Sequence, residues 1–182
     1  MRRRPANGFT LIELLLVVAI IGILAAISIP GLLRARMSGN EASAIGSLRA
    51  INSSQHAYSS SCARGTFATV LTDLAIAPTP GSPPFISPDL GVAAPSIIKS
   101  GYTIEMDRGS ESQPGTNDAC NGVLAADLAS SFYAFADPVA IGTTGMRFFW
   151  TNALATIYFD LAGSMSGETN GSSPPSSGAV LQ

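Results

Sequence analysis

The sequence predicts an α+β fold in which one long amino-terminal helix packs against a small antiparallel sheet. Three observations carry that prediction. Phe9–Ile29 is a single long apolar run, residues from Leu32 to Cys62 keep a three- and four-residue apolar spacing, and the last third of the chain alternates apolar and polar residues in short runs.

The apolar run comes first. As a helix it would rise roughly 31 Å at about 1.5 Å per residue, close to the roughly 30 Å of hydrocarbon in a bilayer. It is long enough to span a membrane. Gly22 and Pro30 are its weak points, because an interior glycine lowers helix propensity and Pro30 lacks a donor and crowds the carbonyl of Ala26. A bend near Pro30 is expected.

Beyond Pro30 the helix continues. Leu32, Leu33, Met37, Ile45, Leu48, Ile51, Gln55, Tyr58 and Cys62 mark one face, with Arg34, Arg36, Glu41 and Arg49 pointing elsewhere. Ser59-Ser60-Ser61 and Gly65 end it. Phe67, Val70, Leu71 and Leu74 predict a short two-turn helix. Pro78 to Pro95 holds six prolines with glycine and serine between them and reads as a surface loop.

Strands follow. Tyr102, Ile104 and Met106 alternate with Thr103, Glu105 and Asp107; further strands are expected at Ser131–Ala136, Met146–Thr151 and Thr156–Asp160. The last two are joined by Asn152-Ala153-Leu154-Ala155 as a hairpin loop. Gly, Ser and Pro dominate from Ser164 onward, which predicts a mobile tail over 164–182.

Charge and cysteine content narrow the class. The formal charge is −2, but without Arg2, Arg3 and Arg4 seven basic residues face twelve acidic ones, so the remainder is mildly acidic. The arginines are scattered, and no nucleic-acid partner is implied. Three arginines before the apolar run place the amino end in the cytoplasm and the large domain outside it. In that oxidising setting Cys62 and Cys120, the only cysteines, favour one disulfide; in the cytosol they would be free thiols.

Glu13 is the anomaly of the apolar run. A carboxylate within a spanning segment costs about 2.5 kcal/mol or more near the centre and marks a functional position. Its place one turn inside Phe9 lowers that cost through the helix dipole. Were the chain cut between Gly8 and Phe9, the new amine, with a typical pKa of about 7.7, would be a second charge one turn away. A secretory signal peptide fits poorly, since the run is too long and ends in Ile29-Pro30. An ordinary anchor leaves Glu13 and the Gly8-Phe9 junction unexplained.

The basic leader RRRPANG, then Gly8-Phe9-Thr10-Leu11-Ile12-Glu13 and LLLVVAIIGILAAISIP, resembles the amino-terminal signature of type IV prepilins and type II secretion pseudopilins. The likeness is close over about thirty residues. It implies the pilin fold, cleavage after Gly8 by a prepilin peptidase, methylation of the Phe9 amine, and a wait in the inner membrane. It further implies polymerisation by an inner-membrane assembly platform into a helical filament, with itself and related minor pilins as partners. Glu13 would be the assembly glutamate, helped by Thr10 and Leu11, and the Gly22 to Pro30 portion would loosen as the helix leaves lipid. The implied divisions are 1–8 leader, 9–30 membrane or filament-core helix, 31–62 amphipathic continuation, 63–163 head and 164–182 tail. The function implied is a type IV pilus subunit; the alternatives are a type II secretion pseudopilin and a membrane-tethered periplasmic binding domain or enzyme.

Other chemistry is thin. His56 is the only histidine and has no acidic neighbour at helical spacing, and no Gly-x-Ser-x-Gly elbow occurs, so no catalytic residue and no cofactor are expected. Glu105, Asp107, Glu111 and Asp118 fit no EF-hand spacing, and a solvated acidic loop is the better reading than a metal site. Asn52-Ser53-Ser54 and Asn170-Gly171-Ser172 match the glycosylation triplet, a pattern short enough to arise by chance.

Overall fold

The protein was analysed as a computed structural model that describes residues 8–92, 94 and 96–181. The leader arginines Arg2, Arg3 and Arg4 and the loop residue Pro95 lie outside the described residues. Contacts divide the chain into two compact units, one ending at Arg36 and the other starting at Met37.

The first unit is the apolar part of α1, a helix that is assigned over Leu11–Ser61 and passes through Pro30. Among the described residues its large side chains are left uncovered: Leu11, Ile12, Leu14, Leu15, Leu16 and Ile23 are all more than half exposed. That is far more contiguous apolar surface than a monomer keeps in water. Length and apolar composition together make this helix a candidate membrane span.

The second unit holds the rest of α1 and the sheet. Along α1 the buried residues Glu41, Ala44, Leu48, Ile51, Asn52, Gln55 and Tyr58 recur at three and four, so one face is covered by the sheet and the opposite face is not. The helix ends where Arg64 and Gly65 both take positive φ and the Gly65 amide donates to the Ser59 carbonyl.

Next come β1 (Phe67–Ala68) and α2 (Leu71–Ala75). This corrects the expected two-turn helix from Phe67. Gln55 explains the difference, because its side-chain amide donates to the Ala68 carbonyl and accepts from the Ala68 amide, holding Ala68 extended. β1 pairs with β4 (Leu128–Ala129), which follows a single 3₁₀ turn over Ala125–Asp127.

The main sheet has six strands where three or four were expected. These are β2 (Ser96–Lys99), β3 (Tyr102–Arg108), β5 (Phe132–Pro138), β6 (Phe148–Asn152), β7 (Ile157–Asp160) and β8 (Ala179–Val180), antiparallel throughout, in the order β2-β3-β5-β6-β7-β8. β2 and β3 turn on Ser100 and Gly101, both at positive φ, as a two-residue hairpin loop requires.

One sheet face gives Ile97, Tyr102, Ile104, Met106, Phe132, Ala134, Ala136, Phe149 and Ile157 to a core shared with α1. The other face has a core of its own, with Tyr133, Phe135, Phe148, Trp150 and Tyr158 closed over by Met165. β5 is therefore buried on both faces, which accounts for its nearly unbroken apolar run.

The segment after Ser164 departs from the expected mobile tail. The Trp150 indole donates to the Glu168 carbonyl, the Asn152 side chain donates to the Ser173 carbonyl, and Glu111 accepts hydroxyl bonds from Ser131 and Ser172. The chain then returns to the sheet as β8. Composition misleads here because backbone and hydroxyl bonds to the sheet, plus one methionine, replace an apolar face. The loop expected from Pro78 to Pro95 likewise packs inward: Ile86 and Leu90 are buried, and Ser54 donates to the Phe85 carbonyl.

Polar side chains fix how helix and sheet meet. Glu41, almost fully buried, accepts from the Met146 amide at 2.9 Å and from Arg147 Nε at 2.8 Å, with a second guanidinium nitrogen at 2.7 Å. Arg147 also lies against the rings of Phe149 and Phe159. Asn52 donates to Thr151 Oγ1 at 2.8 Å inside the core. Beside this junction the Tyr102 hydroxyl donates to the Arg147 carbonyl, and a Cβ on Gly145 would meet that hydroxyl at 1.9 Å, so only glycine fits there.

Glu41→Ala leaves the Met146 amide and Arg147 without their acceptor. A fully buried pair loses about 3 to 5 kcal/mol on such a change, and because the Arg147 side chain is 34% exposed we expect about 2 to 3 kcal/mol. Thermal unfolding of the detergent-solubilised chain measures it, and an unchanged midpoint would contradict the assignment.

Asp73 lies in the first turn of α2. Its carboxyl is pushed up to about 6 by burial and then by the neighbouring Asp127 charge, and its Oδ2 is buried without a partner among the described residues. Asp127 and Tyr58 are the other titratable groups of this corner, where Asn121 accepts from the Tyr58 hydroxyl and donates to the Asp73 carbonyl. The raised folded pKa means that protonation stabilises the fold. That stabilisation is complete below the unfolded value of 3.8 and is lost as pH rises through about 6. Asp73→Asn should therefore raise stability near neutral pH by about 1 kcal/mol, allowing for partial solvent screening, with the gain vanishing near pH 4 in parallel melts.

Candidate functional site

The amino end of α1 gathers the residues the sequence singles out. Gly8, Phe9 and Thr10 precede the first helical residue, Leu11, and Thr10 stands at the cap position. Its hydroxyl accepts from the Glu13 amide at 3.3 Å and lies 3.5 Å from Glu13 Oε2, while its carbonyl accepts from Leu14 at 3.2 Å. Thr10-x-x-Glu13 thus has the sequence of a capping box, with the Thr10 hydroxyl serving the Glu13 amide and the Glu13 carboxylate facing that hydroxyl rather than an amide. The carboxylate sits where the helix dipole favours it.

Everything in this site is open. Phe9 is 75% and Leu11 81% exposed, and Glu13 makes no ion pair among the described residues. The arrangement presents one carboxylate on a helix end whose remaining surface is apolar. What it offers is a charge to be matched and an apolar surface to be covered.

Gly22 and Pro30 lie farther along the same helix. A Cβ on Gly22 would meet nothing within 4 Å, so packing within the chain does not require glycine there. Near Pro30, the Ser28 hydroxyl donates to the Leu24 carbonyl.

Cys62 and Cys120 are joined in a disulfide that ties the end of α1 to the loop before the 3₁₀ turn. The Cys120 amide also donates to the Cys62 carbonyl, so the two segments are held by backbone as well as by sulfur.

The remaining residues of interest are not gathered into one place. His56 is exposed and packs edge-on against Phe67 at 5.8 Å between ring centres. Glu111 is taken by Ser131 and Ser172, Asp118 accepts from the Ala125 amide, and Asp107 accepts from the Arg108 amide. No group of three potential metal ligands occurs among the described residues. The Asn52 side chain is buried against Thr151, where a glycan has no room.

Sequence reasoning missed Gln55, Glu41 and Arg147 as structural determinants and β2 as a strand. Ser100-Gly101 between Ile97-Ile98 and Tyr102 was the available signal for β2, since such a dipeptide between apolar runs marks a hairpin. Nothing in the one-dimensional pattern pairs Glu41 with Arg147, 106 positions away.

Comparison with known proteins adds to this geometry. The prokaryotic N-terminal methylation motif matches residues 3–29, the stretch containing the capping box and the whole apolar run to Ile29. The chain is 66% identical over 38 residues to the type IV wide pilus major component PilA4 of Thermus thermophilus, covering 21% of this chain and 29% of that protein. It is 39% identical over 82 residues to the type IV major pilin protein PilA of Myxococcus xanthus, covering 44% of this chain and 36% of that one. The matched region thus spans about a third of the length of these curated relatives. No solved structure gives a significant match. The chain thus carries the methylation motif at its amino end, is similar over part of its length to two type IV pilins, and packs a long helix on an antiparallel sheet in a way consistent with the α+β pilin fold.

Proposed function

We propose that the protein is a structural subunit of a type IV pilus, made as a prepilin, cleaved after Gly8, methylated at the Phe9 amine and polymerised through its amino-terminal helix. The observation that supports this most is the wholly exposed apolar half of α1 with Glu13 as its single acid. Such a surface needs lipid before assembly and other helices afterwards.

The chemistry is that of matched charges. Cleavage creates an amine at Phe9 with an ordinary pKa of about 7.7. Burying that amine, or the Glu13 carboxylate, alone among apolar helices would be costly, and pairing the amine of one subunit with the carboxylate of a neighbour removes both penalties in one axial register. Thr10 holds the Glu13 carboxylate at the helix start until then, and Leu11 and the apolar residues after it supply the packing. Gly22 and Pro30 leave the span free to adjust.

The leader arginines orient the segment, with the amino end cytoplasmic, the head periplasmic and the subunit in the inner membrane until it joins a surface filament. A prepilin peptidase, an inner-membrane assembly platform and related minor pilins are the partners this scheme requires. A type II secretion pseudopilin would use the same residues; the two relatives, both named for pili, favour the pilus.

Glu13→Gln should leave cleavage intact and reduce filament recovered by shearing at least about tenfold, the size of a lost charge pair of about 1.4 kcal/mol or more. Gly8→Leu should instead leave a persistent higher-mass precursor on a gel. Normal filaments composed wholly of the Glu13→Gln protein would overturn the assembly role.

A further inference from the structure

The end of the sheet nearest the start of the second unit closes in a loop without charge. It joins β5 to β6 and runs from Val139 to Met146, with the sequence Val-Ala-Ile-Gly-Thr-Thr-Gly-Met. Val139, Ile141 and Met146 are large apolar side chains left exposed on it. Leu161, which follows β7 at the same end of the sheet, is exposed as well. Apolar side chains gathered at one place on a surface mark a contact with something other than water.

The backbone of this loop already has its hydrogen bonds. The amides of Gly142, Thr143 and Thr144 donate to the Gly145 and Ala140 carbonyls, and the Ala140 amide donates to the Thr144 hydroxyl. Val139 donates to the Gly101 carbonyl and Met146 to Glu41. A backbone that meets its own hydrogen bonds can leave water at little cost, which is the condition for entering lipid.

A short tether holds the loop to the apolar helix. The Asn40 side chain donates to the Thr144 carbonyl at 2.9 Å, so the loop is fixed to the first residues of the second unit. Met37, Ser38 and Gly39 are all that separate Asn40 from Arg36, the last residue of the first unit, whatever angle the two units take. Arg34 and Arg36 are exposed and make no ion pair among the described residues. Arginines a few residues past an apolar run reach the phosphates of lipid headgroups. A helix anchored in a bilayer therefore keeps the loop beside that bilayer at high effective concentration, and a weak apolar affinity is enough to seat it.

We propose that the loop 139–146, with Leu161 beside it, is a second membrane contact: before assembly Val139, Ile141 and Met146 seat the head on the bilayer that holds its helix. This rests on the membrane-held stage of the pilus-subunit reading and adds that the head is docked on lipid rather than free to swing. A second copy of the chain is the other occupant an apolar patch could take. The bilayer is favoured because the tether brings it within reach of every subunit, whereas a second copy meets the loop only at high density.

Site-selective fluorescence tests the seat. Cys62 and Cys120 are bonded to each other, so one added cysteine takes a single environment-sensitive NBD label. Ile141→Cys is compared with Leu124→Cys; the native side chains are similarly exposed, 65% and 57%, but Leu124 lies near the disulfide at the other end of α1. The full chain is reconstituted in vesicles of phosphatidylethanolamine and phosphatidylglycerol containing lipids with a doxyl quencher high on the acyl chain. The label at position 141 should be quenched at least about threefold more strongly than the label at position 124, since a seated side chain lies about 5 to 10 Å into the headgroup boundary. Val139→Asp and Met146→Asp together should bring the two within about twofold, because a carboxylate resists entry into lipid. Retention of the Cys62–Cys120 bridge on a non-reducing gel reports folding. Equal quenching at the two positions, or a difference that survives both aspartates, would overturn the seat. So would a label at position 141 that is shielded from water only as the protein-to-lipid ratio rises, the result for a second copy. A chain that washes off the vesicles in alkaline carbonate would instead defeat the membrane span, and with it the pilus-subunit reading as well as the seat.

Discussion

The head depends on one constraint: a single face of α1 must be covered by a sheet in one register. Apolar burial alone would tolerate sliding, since Leu48 and Ile51 could rest against any of several sheet residues. Glu41, Asn52 and Gln55 remove that freedom. Each is buried and each finds its acceptor or donor on a different segment, respectively the β5–β6 connection, β6 and β1. A slip along the helix would strand several buried polar groups together, at about 1 to 3 kcal/mol apiece. The disulfide then fixes the far end of the helix, where Tyr58, Asn121 and Asp73 form a second, partly buried polar corner.

The first unit obeys a different rule. Its apolar run from Phe9 to Ile29 leaves its surface open and has no polar contacts to the head among the described residues, so Glu13, the one charge within that run, is the feature best placed to select a position along a neighbour. That is why Glu13 and the cap it shares with Thr10 matter more than their small number of contacts suggests. In this account the specificity that the head achieves internally through Glu41, Asn52 and Gln55 is achieved between subunits through Phe9 and Glu13.

Much of this was legible in the sequence, and the failures have physical causes. The helix from Leu11 to Ser61 is legible because apolar run, amphipathic spacing and Ser-rich stop all agree. The strands at Tyr102, Phe132, Phe148 and Ile157 are legible from β-branched and aromatic residues between turn signals. Phe67–Ala68 misleads because its extended form comes from the distant Gln55 amide rather than from its own propensity. The segment from Ser164 misleads because its order comes from Trp150, Asn152 and Glu111, all outside it. The amino-terminal site is the most legible part, since its signal is local: a glycine, a capping threonine and one acid in an apolar run.

The central claim is that Gly8-Phe9 is a cut junction whose product enters a filament. Mass spectrometry of the amino-terminal peptide of subunits from sheared, purified surface filaments tests it most directly. The account predicts a peptide beginning at Phe9 with one methyl group on its amine. A peptide retaining the residues before Phe9, or the absence of this chain from the filaments, would contradict it.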